Sequence, residues 1–193
     1  MNFYTFAKNV VKIGLSPVYR IKASGKEHFP KEGGVLICAN HINNLDPLAV
    51  GTTSPRDIHF MAKEELFRAP VLKGIMPKIN AFPVKRGLSD REALRKGLAI
   101  LKEDRVLGLF PEGTRSKNGE LGEGLSGAGF FALRSKAHIV PCAVIGPYSF
   151  LGKVKVVYGK PIDFQPYRDQ KVSADVATKV IMAEIQKLIS ENK

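Results

Sequence analysis

His41 and Asp46 stand five positions apart in "NHINNLDP" (residues 40–47), between the apolar run Val35–Cys38 and Pro47. On a helix five positions turn roughly 500°, which leaves the two side chains about 140° apart. On a strand they fall on opposite faces. The spacing makes sense where a strand ends near Ala39, a loop carries His41 and a helix starts at Asp46. Asp46 is then the N-cap and Pro47 takes the first helical position. A turn of that kind folds the carboxylate back onto the imidazole. A histidine so held carries its proton on one ring nitrogen and offers the other as a general base. No Gly-x-Ser-x-Gly turn supplies a protein nucleophile, so the hydroxyl to be activated belongs to a substrate. A plainer reading stands beside this one: a histidine next to a structural N-cap aspartate. The spacing alone does not separate them.

Two further polar clusters follow strand-like runs. "FPVKRG" (82–87) ends in Lys85 and Arg86, and "FPEGTRS" (110–116) carries Glu112, Gly113, Thr114 and Arg115. Guanidinium groups offer paired donors that match a phosphate, and Lys85 adds point charge. Strand-end arginines are also often solvated or paired with acids such as Glu112. Gly113 permits a positive φ or a close backbone approach. Glu112 suits either a ligand hydroxyl or an ion pair with Arg115.

The elements that must position these clusters read as alternating strands and helices. Strands are predicted at Val18–Ala23, Val35–Ala39, Ile58–Ala62, Ala81–Lys85, Val106–Phe110, Ile139–Ile145 and Val154–Tyr158. Helices are predicted for the N-terminal segment, after Asp46, and over Glu65–Met76. Others follow Ser89 (a capping box with Glu92) and cover Gly127–Lys136 and Ala174–Glu191. Val176, Val180, Ile181, Ile185, Leu188 and Ile189 form one stripe on the last helix, read as core. The glycine-rich "GLSGAG" (124–129) reads as the start of a helix. The fold class is therefore α/β: one domain, a mixed β-sheet flanked by helices, with an N-terminal amphipathic helical segment. Ligand sites in such sheets gather beyond strand ends, where all three clusters lie.

The chain has 193 residues, 44% hydrophobic and 25% charged, enough for one real core. No apolar stretch reaches the length of a membrane span, and no signal peptide is expected. Cys38 and Cys142 lie in apolar runs and read as core packing in a reducing compartment. The four histidines, His28, His41, His59 and His138, show no metal-ligand spacing, so no metal site is expected. The net charge of +12 attracts anionic partners. Nucleic acid is not expected, because zinc-ligand, aromatic RNA-binding and dense basic patterns are all missing. The N-terminal segment instead holds Lys8, Lys12, Arg20, Lys22 and Lys26 among Phe3, Phe6, Val10, Val11 and Ile13, with no acid. A basic amphipathic helix of this kind lies in a membrane interface. The alternative is a helix packed on the domain with its lysines in solvent.

"NHINNLD", "FPVKRG", "FPEGTRS" and "IVPCAVIG" (139–146) resemble, in order and spacing, the four motifs of the glycerolipid acyltransferases. "YGKPI" (158–162) resembles the usual tail of the lysophosphatidate-acylating members. The resemblance implies acyl transfer from acyl-CoA or acyl-carrier protein to the sn-2 hydroxyl of lysophosphatidate, making phosphatidate, with no cofactor. It implies His41 as general base and Asp46 as its orienting group. Lys85, Arg86, Glu112, Gly113, Thr114 and Arg115 would hold the phosphate and glycerol, and Pro141 would serve the acyl-donor side. With the basic amphipathic N-terminus, the expected division is residues 1–20 as a membrane-interface segment and 21–193 as the acyltransferase domain. The protein would sit peripherally on the cytoplasmic face of the cell membrane. Another phosphorylated acceptor, or non-catalytic binding of anionic lipid, are the alternatives. Two departures from the family pattern stand out: Asn43 where serine is usual, and Asn80 where glycine is usual.

Overall fold

The computed structural model describes residues 3–85 and 90–193. Its strands are β1 (Lys22–Ser24), β2 (Val35–Ala39), β3 (Ile58–Lys63), β4 (Ala81–Val84), β5 (Val106–Leu109), β6 (His138–Ile145) and β7 (Lys155–Tyr158). Its helices are α1 (Phe3–Tyr19), α2 (Asp46–Thr53), α3 (Leu72–Ile75), α4 (Arg91–Lys102), α5 (Gly127–Arg134), α6 (Gln165–Asp169) and α7 (Ala174–Asn192). The strands form one sheet in the order β1-β7-β6-β2-β5-β3-β4. β6, β2, β5, β3 and β4 run parallel, β7 is antiparallel to β6, and β1 is parallel to β7.

β2 lies in the middle and is buried along its whole length. Strand periodicity divides it between two cores. Leu36 and Cys38 face Ile100 and Leu101 of α4, Phe131 of α5 and Ile181 and Ile185 of α7. Val35, Ile37 and Ala39 face Ala49 and Val50 of α2 and Tyr158. The sheet is thus covered on both faces. α5 and α7 approach closely because Gly129 has no side chain: a Cβ there would lie 1.9 Å from the Ala174 carbonyl oxygen. The Gly129 N–H donates to Thr178 Oγ1 at 3.0 Å across the same contact. The glycine-rich stretch therefore leads into a packed helix. The apolar stripe of α7 is core at Ile181, Ile185 and Ile189, while Val176 is exposed.

Several elements differ from the sequence reading, among them α6, which no predicted helix covers. α1 runs through Pro17 to Tyr19, so Val18 and Tyr19 are helical and the first strand starts only at Lys22. Pro17 sits in the last turn, where the one hydrogen bond it forfeits does not stop the helix. The chain then reverses at Arg20, with φ 42°. The helix expected over Glu65–Met76 is broken by Pro70, which disfavours helical geometry at Ala69. It becomes a 3₁₀ turn (Glu64–Phe67), the short α3, and a second 3₁₀ turn (Pro77–Ile79). The N-cap of α4 is Asp90, whose Oδ1 accepts from Ala93 N at 3.0 Å; Ser89 lies outside the described residues. Asn80 takes the left-handed conformation, φ 59°, just before β4, which asparagine tolerates better than most residues.

Candidate active site

The C-terminal ends of β2, β5, β3, β4 and β6 share one edge of the sheet, because these strands are parallel. The loop after β2 carries His41, and the loop after β5 carries Glu112–Arg115. Asn40 anchors the first loop. Its Nδ2 donates to Val144 O at 2.8 Å, and its Oδ1 accepts from Val144 N at 2.7 Å, tying the end of β2 to β6.

His41 Nδ1 lies 2.8 Å from Asp46 Oδ2. The same oxygen accepts from Ile42 N at 2.6 Å and Asn43 N at 2.7 Å. An oxygen already receiving two N–H groups acts towards Nδ1 as an acceptor, so His41 carries its proton there and leaves the Nε2 lone pair free. Asp46 was expected to cap α2. It is the first residue of the helix instead, and no side chain caps that end. Its carboxylate reaches back to gather the loop. Asn43 helps: its Oδ1 accepts from Leu45 N at 3.1 Å and its carbonyl from Asp46 N at 3.1 Å. Asn43 thus helps to close the loop.

Glu112 is buried and bonded through both oxygens. Oε1 accepts from His41 N at 2.7 Å, and Oε2 from Gly122 N at 3.0 Å. It clamps the two catalytic-edge loops through backbone groups, and each oxygen keeps a lone pair for a substrate hydroxyl. A second strap joins the loops: Ser116 N donates to His41 O at 2.7 Å. Gly113 has φ 65°, the left-handed turn that glycine adopts without strain. Thr114 and Arg115 are exposed and line a cleft with Glu112 and Leu121.

Phe110, the residue before Pro111, went unnoticed as a site residue. Its ring stacks on the His41 imidazole at 4.3 Å and 25°, and Phe60 stacks behind it at 5.9 Å. Gly108 makes room for that column, since a Cβ there would lie 2.4 Å from the Phe60 ring. The aromatic start of "FPEGTRS" is the available signal, as an aromatic residue at a strand end beside a histidine can fix the ring plane.

The remaining predicted residues are more scattered. Lys85 follows β4, which is three strands from β2, or roughly 14 Å away at normal strand spacing. Its backbone N–H donates to Asp90 Oδ2 at 3.0 Å. Arg86 lies outside the described residues. Pro141 is interior to β6, in register with Cys38, rather than at a strand end. Its ring packs on Gly159, and its carbonyl accepts from Gly159 N at 2.8 Å. Cys38 and Cys142 are fully buried free thiols, and desolvation pushes both far up, so neither is a nucleophile near neutral pH. Among the described residues no group of three His, Cys, Asp or Glu side chains is placed to hold a metal ion. Nor is any helix among them long and apolar enough to cross a membrane.

The sequence model of the family described as acyltransferase matches residues 20–145. A 1-acyl-sn-glycerol-3-phosphate acyltransferase of Bacillus subtilis is 35% identical over a match that covers 82% of this chain and 82% of that protein. The protein of the same name from Streptococcus pneumoniae is 27% identical, covering 99% of this chain and 75% of its own length. Among solved structures, the 1-acyl-sn-glycerophosphate (LPA) acyltransferase PlsC of Thermotoga maritima matches with a TM-score of 0.80. That match covers 97% of this chain and 78% of the other at 22% identity, a likeness of fold. The matched region holds the His41 loop, the Glu112 loop and the strands that bring them together. The chain therefore belongs to the acyltransferase family.

Proposed function

We propose that the chain transfers an acyl group from an acyl thioester, either acyl-CoA or acyl-carrier protein, to the sn-2 hydroxyl of lysophosphatidate, forming phosphatidate. The observation that carries this reading is the His41–Asp46 pair, with Nδ1 fixed at 2.8 Å and Nε2 left free. Nε2 takes the proton from the substrate hydroxyl as its oxygen bonds to the thioester carbon. The carbon–sulfur bond then breaks, and the thiolate leaves with the proton returned by His41. Atoms and charge balance without a cofactor. Arg115, with Thr114 and Gly113, takes the acceptor phosphate. Lys85 adds positive charge from the β4 side, Arg86 is assigned to the phosphate with it, and Pro141 acts on the acyl-donor side by shaping β6.

The phosphate assignment has a direct test. Arg115→Ala is expected to raise KM for lysophosphatidate about tenfold while kcat stays within twofold, the scale of losing one charge-assisted contact. Initial rates with lysophosphatidate and with unphosphorylated monoacylglycerol check it. An unchanged KM, with monoacylglycerol accepted equally well, contradicts the assignment.

We also propose residues 1–20 as a membrane-interface segment, residues 21–193 as the acyltransferase domain, and a peripheral seat on the cytoplasmic face of the membrane. Phe3, Phe6, Val10 and Ile13 are exposed on α1 at helical spacing, and Ile13 is 75% exposed. Lys8 turns inward instead, its Nζ donating to Ser54 O at 2.8 Å. The outward face thus carries an apolar stripe flanked by the exposed Asn9 and Lys12, which supports a lipid interface against it. Ile13→Asp is expected to weaken binding to phosphatidylglycerol-containing vesicles roughly tenfold, the scale of losing one buried aliphatic side chain. Co-sedimentation measures it, and undiminished pelleting would rule out the interfacial seat of α1.

A further inference from the structure

Asp46 is 0% exposed, and its two oxygens are treated very differently. Oδ2 receives three donors, whereas Oδ1 is buried with no hydrogen-bond partner within normal geometry. One other buried side-chain oxygen among the described residues is left the same way, the hydroxyl of Tyr148. The two belong to one neighbourhood. Burial raises the Tyr148 pKa far above its ordinary value, and the adjacent Asp46 carboxylate raises it further. Tyr148 therefore keeps its proton at any working pH. Cys142 also faces this spot from β6, but its thiol stays neutral and is a weak donor. An oxygen that can only accept thus stands beside a hydroxyl that has a proton to give. Buried polar groups without partners are rare because each is costly.

We propose that Tyr148 is a positioning residue, its hydroxyl donating to Asp46 Oδ1 so that the carboxylate cannot rotate away from His41 Nδ1. The ring is held for this from the other side. Tyr19, the last residue of α1, meets it edge-on at 5.5 Å and 71°. Leu151 N donates to Val18 O at 2.8 Å, and Val154 N to Tyr19 O at 3.1 Å, so the Tyr148 segment is strapped to the end of α1. Gly146 lets the same segment pass the His41 loop, since a Cβ there would lie 3.3 Å from Ile42 Cδ1. A continuous path of contacts leads from the exposed helix through Tyr19 and Tyr148 to Asp46 and His41.

This inference names a residue for the acyl-transfer reading and rests on it for its kinetic half. Tyr148→Phe keeps the ring and its contact with Tyr19 and removes only the hydroxyl. It is expected to lower kcat about tenfold with KM for both substrates unchanged, the scale of one hydrogen bond expressed in the transition state. In protein labelled with ¹⁵N-histidine, the downfield Nδ1–H resonance, assigned by its loss in His41→Ala, is expected to move upfield or broaden. Added to Asp46→Asn, Tyr148→Phe is expected to change kcat by less than about twofold, because both act through one carboxylate. With an active wild-type protein, an unmoved resonance, an unmoved kcat or fully additive effects overturn the proposal. If the wild type transfers no acyl group but its resonance moves in Tyr148→Phe, the acyl-transfer reading falls and the hydrogen bond stands.

Discussion

His41→Ala is expected to lower kcat for acyl transfer by about 10²–10⁴-fold, the usual worth of a general base. The melting temperature is expected to fall by no more than about 5 °C. The two halves follow from different contacts. His41 gives Asp46 one hydrogen bond and Phe110 one ring contact. Its removal leaves Asp46 Oδ2 still holding Ile42 N and Asn43 N, and the strap from Ser116 N runs to the backbone, which alanine keeps. The loop therefore survives while the proton acceptor is gone. Initial rates beside a circular-dichroism melt measure both. Turnover within about threefold of the wild type, from a protein that melts normally, is incompatible with His41 as the base.

Asp46→Ala behaves differently, because it removes the acceptor around which the loop is wound. Three donors converge on one buried oxygen, and alanine leaves the two backbone N–H groups at Ile42 and Asn43 with nothing to bond. Each stranded buried donor costs about 1–3 kcal/mol. The loss is then about 3–5 kcal/mol, a large share of the roughly 5–15 kcal/mol that holds a typical domain together. A fall in melting temperature on the order of 10 °C is expected, together with a loss of kcat at least as large as that of His41→Ala. Asp46→Asn retains an acceptor oxygen for the loop and is expected to recover most of the stability without the turnover. If Asp46→Ala melts with the wild type, the carboxylate is not the organiser of the loop.

The contrast between these variants marks what was legible in the sequence. The pairing of His41 with Asp46 could be read because both partners lie within one short loop. That loop is bounded by an apolar run and a proline, and local geometry decides such a case. The strands around them were legible for the same reason. β2 and β6 are apolar runs long enough to be buried, and the stripe of α7 has an unambiguous period. The role of Asp46 at the helix end was misread, because an aspartate before proline fits a cap as well as it fits a loop acceptor. Glu112 reads as a group for a ligand hydroxyl, and the backbone groups that both its oxygens also hold are not legible in the sequence. One of these, at His41, is 71 positions away, and no pattern of residue types encodes a bond to a distant backbone N–H. Gly108 and Tyr148 act through contacts that no local pattern encodes, whereas Phe110 leaves one signal, the aromatic start of "FPEGTRS". Pro17 and Pro70 show the opposite errors. Pro17 lies inside a helix that runs on to Tyr19, where a strand is predicted from Val18, and Pro70 breaks the helix predicted over Glu65–Met76.

The central claim is that His41 activates a lysophosphatidate hydroxyl for attack on an acyl thioester. The most direct measurement is radiolabelled transfer by purified protein in mixed micelles. Lysophosphatidate would be offered with acyl-CoA and, separately, with acyl-carrier protein, for the wild type and for His41→Ala. The expected result is labelled phosphatidate from the wild type with at least one donor, reduced by about two orders of magnitude or more in the variant. Phosphatidate formed equally by both proteins, or by neither while both are folded, would contradict the claim.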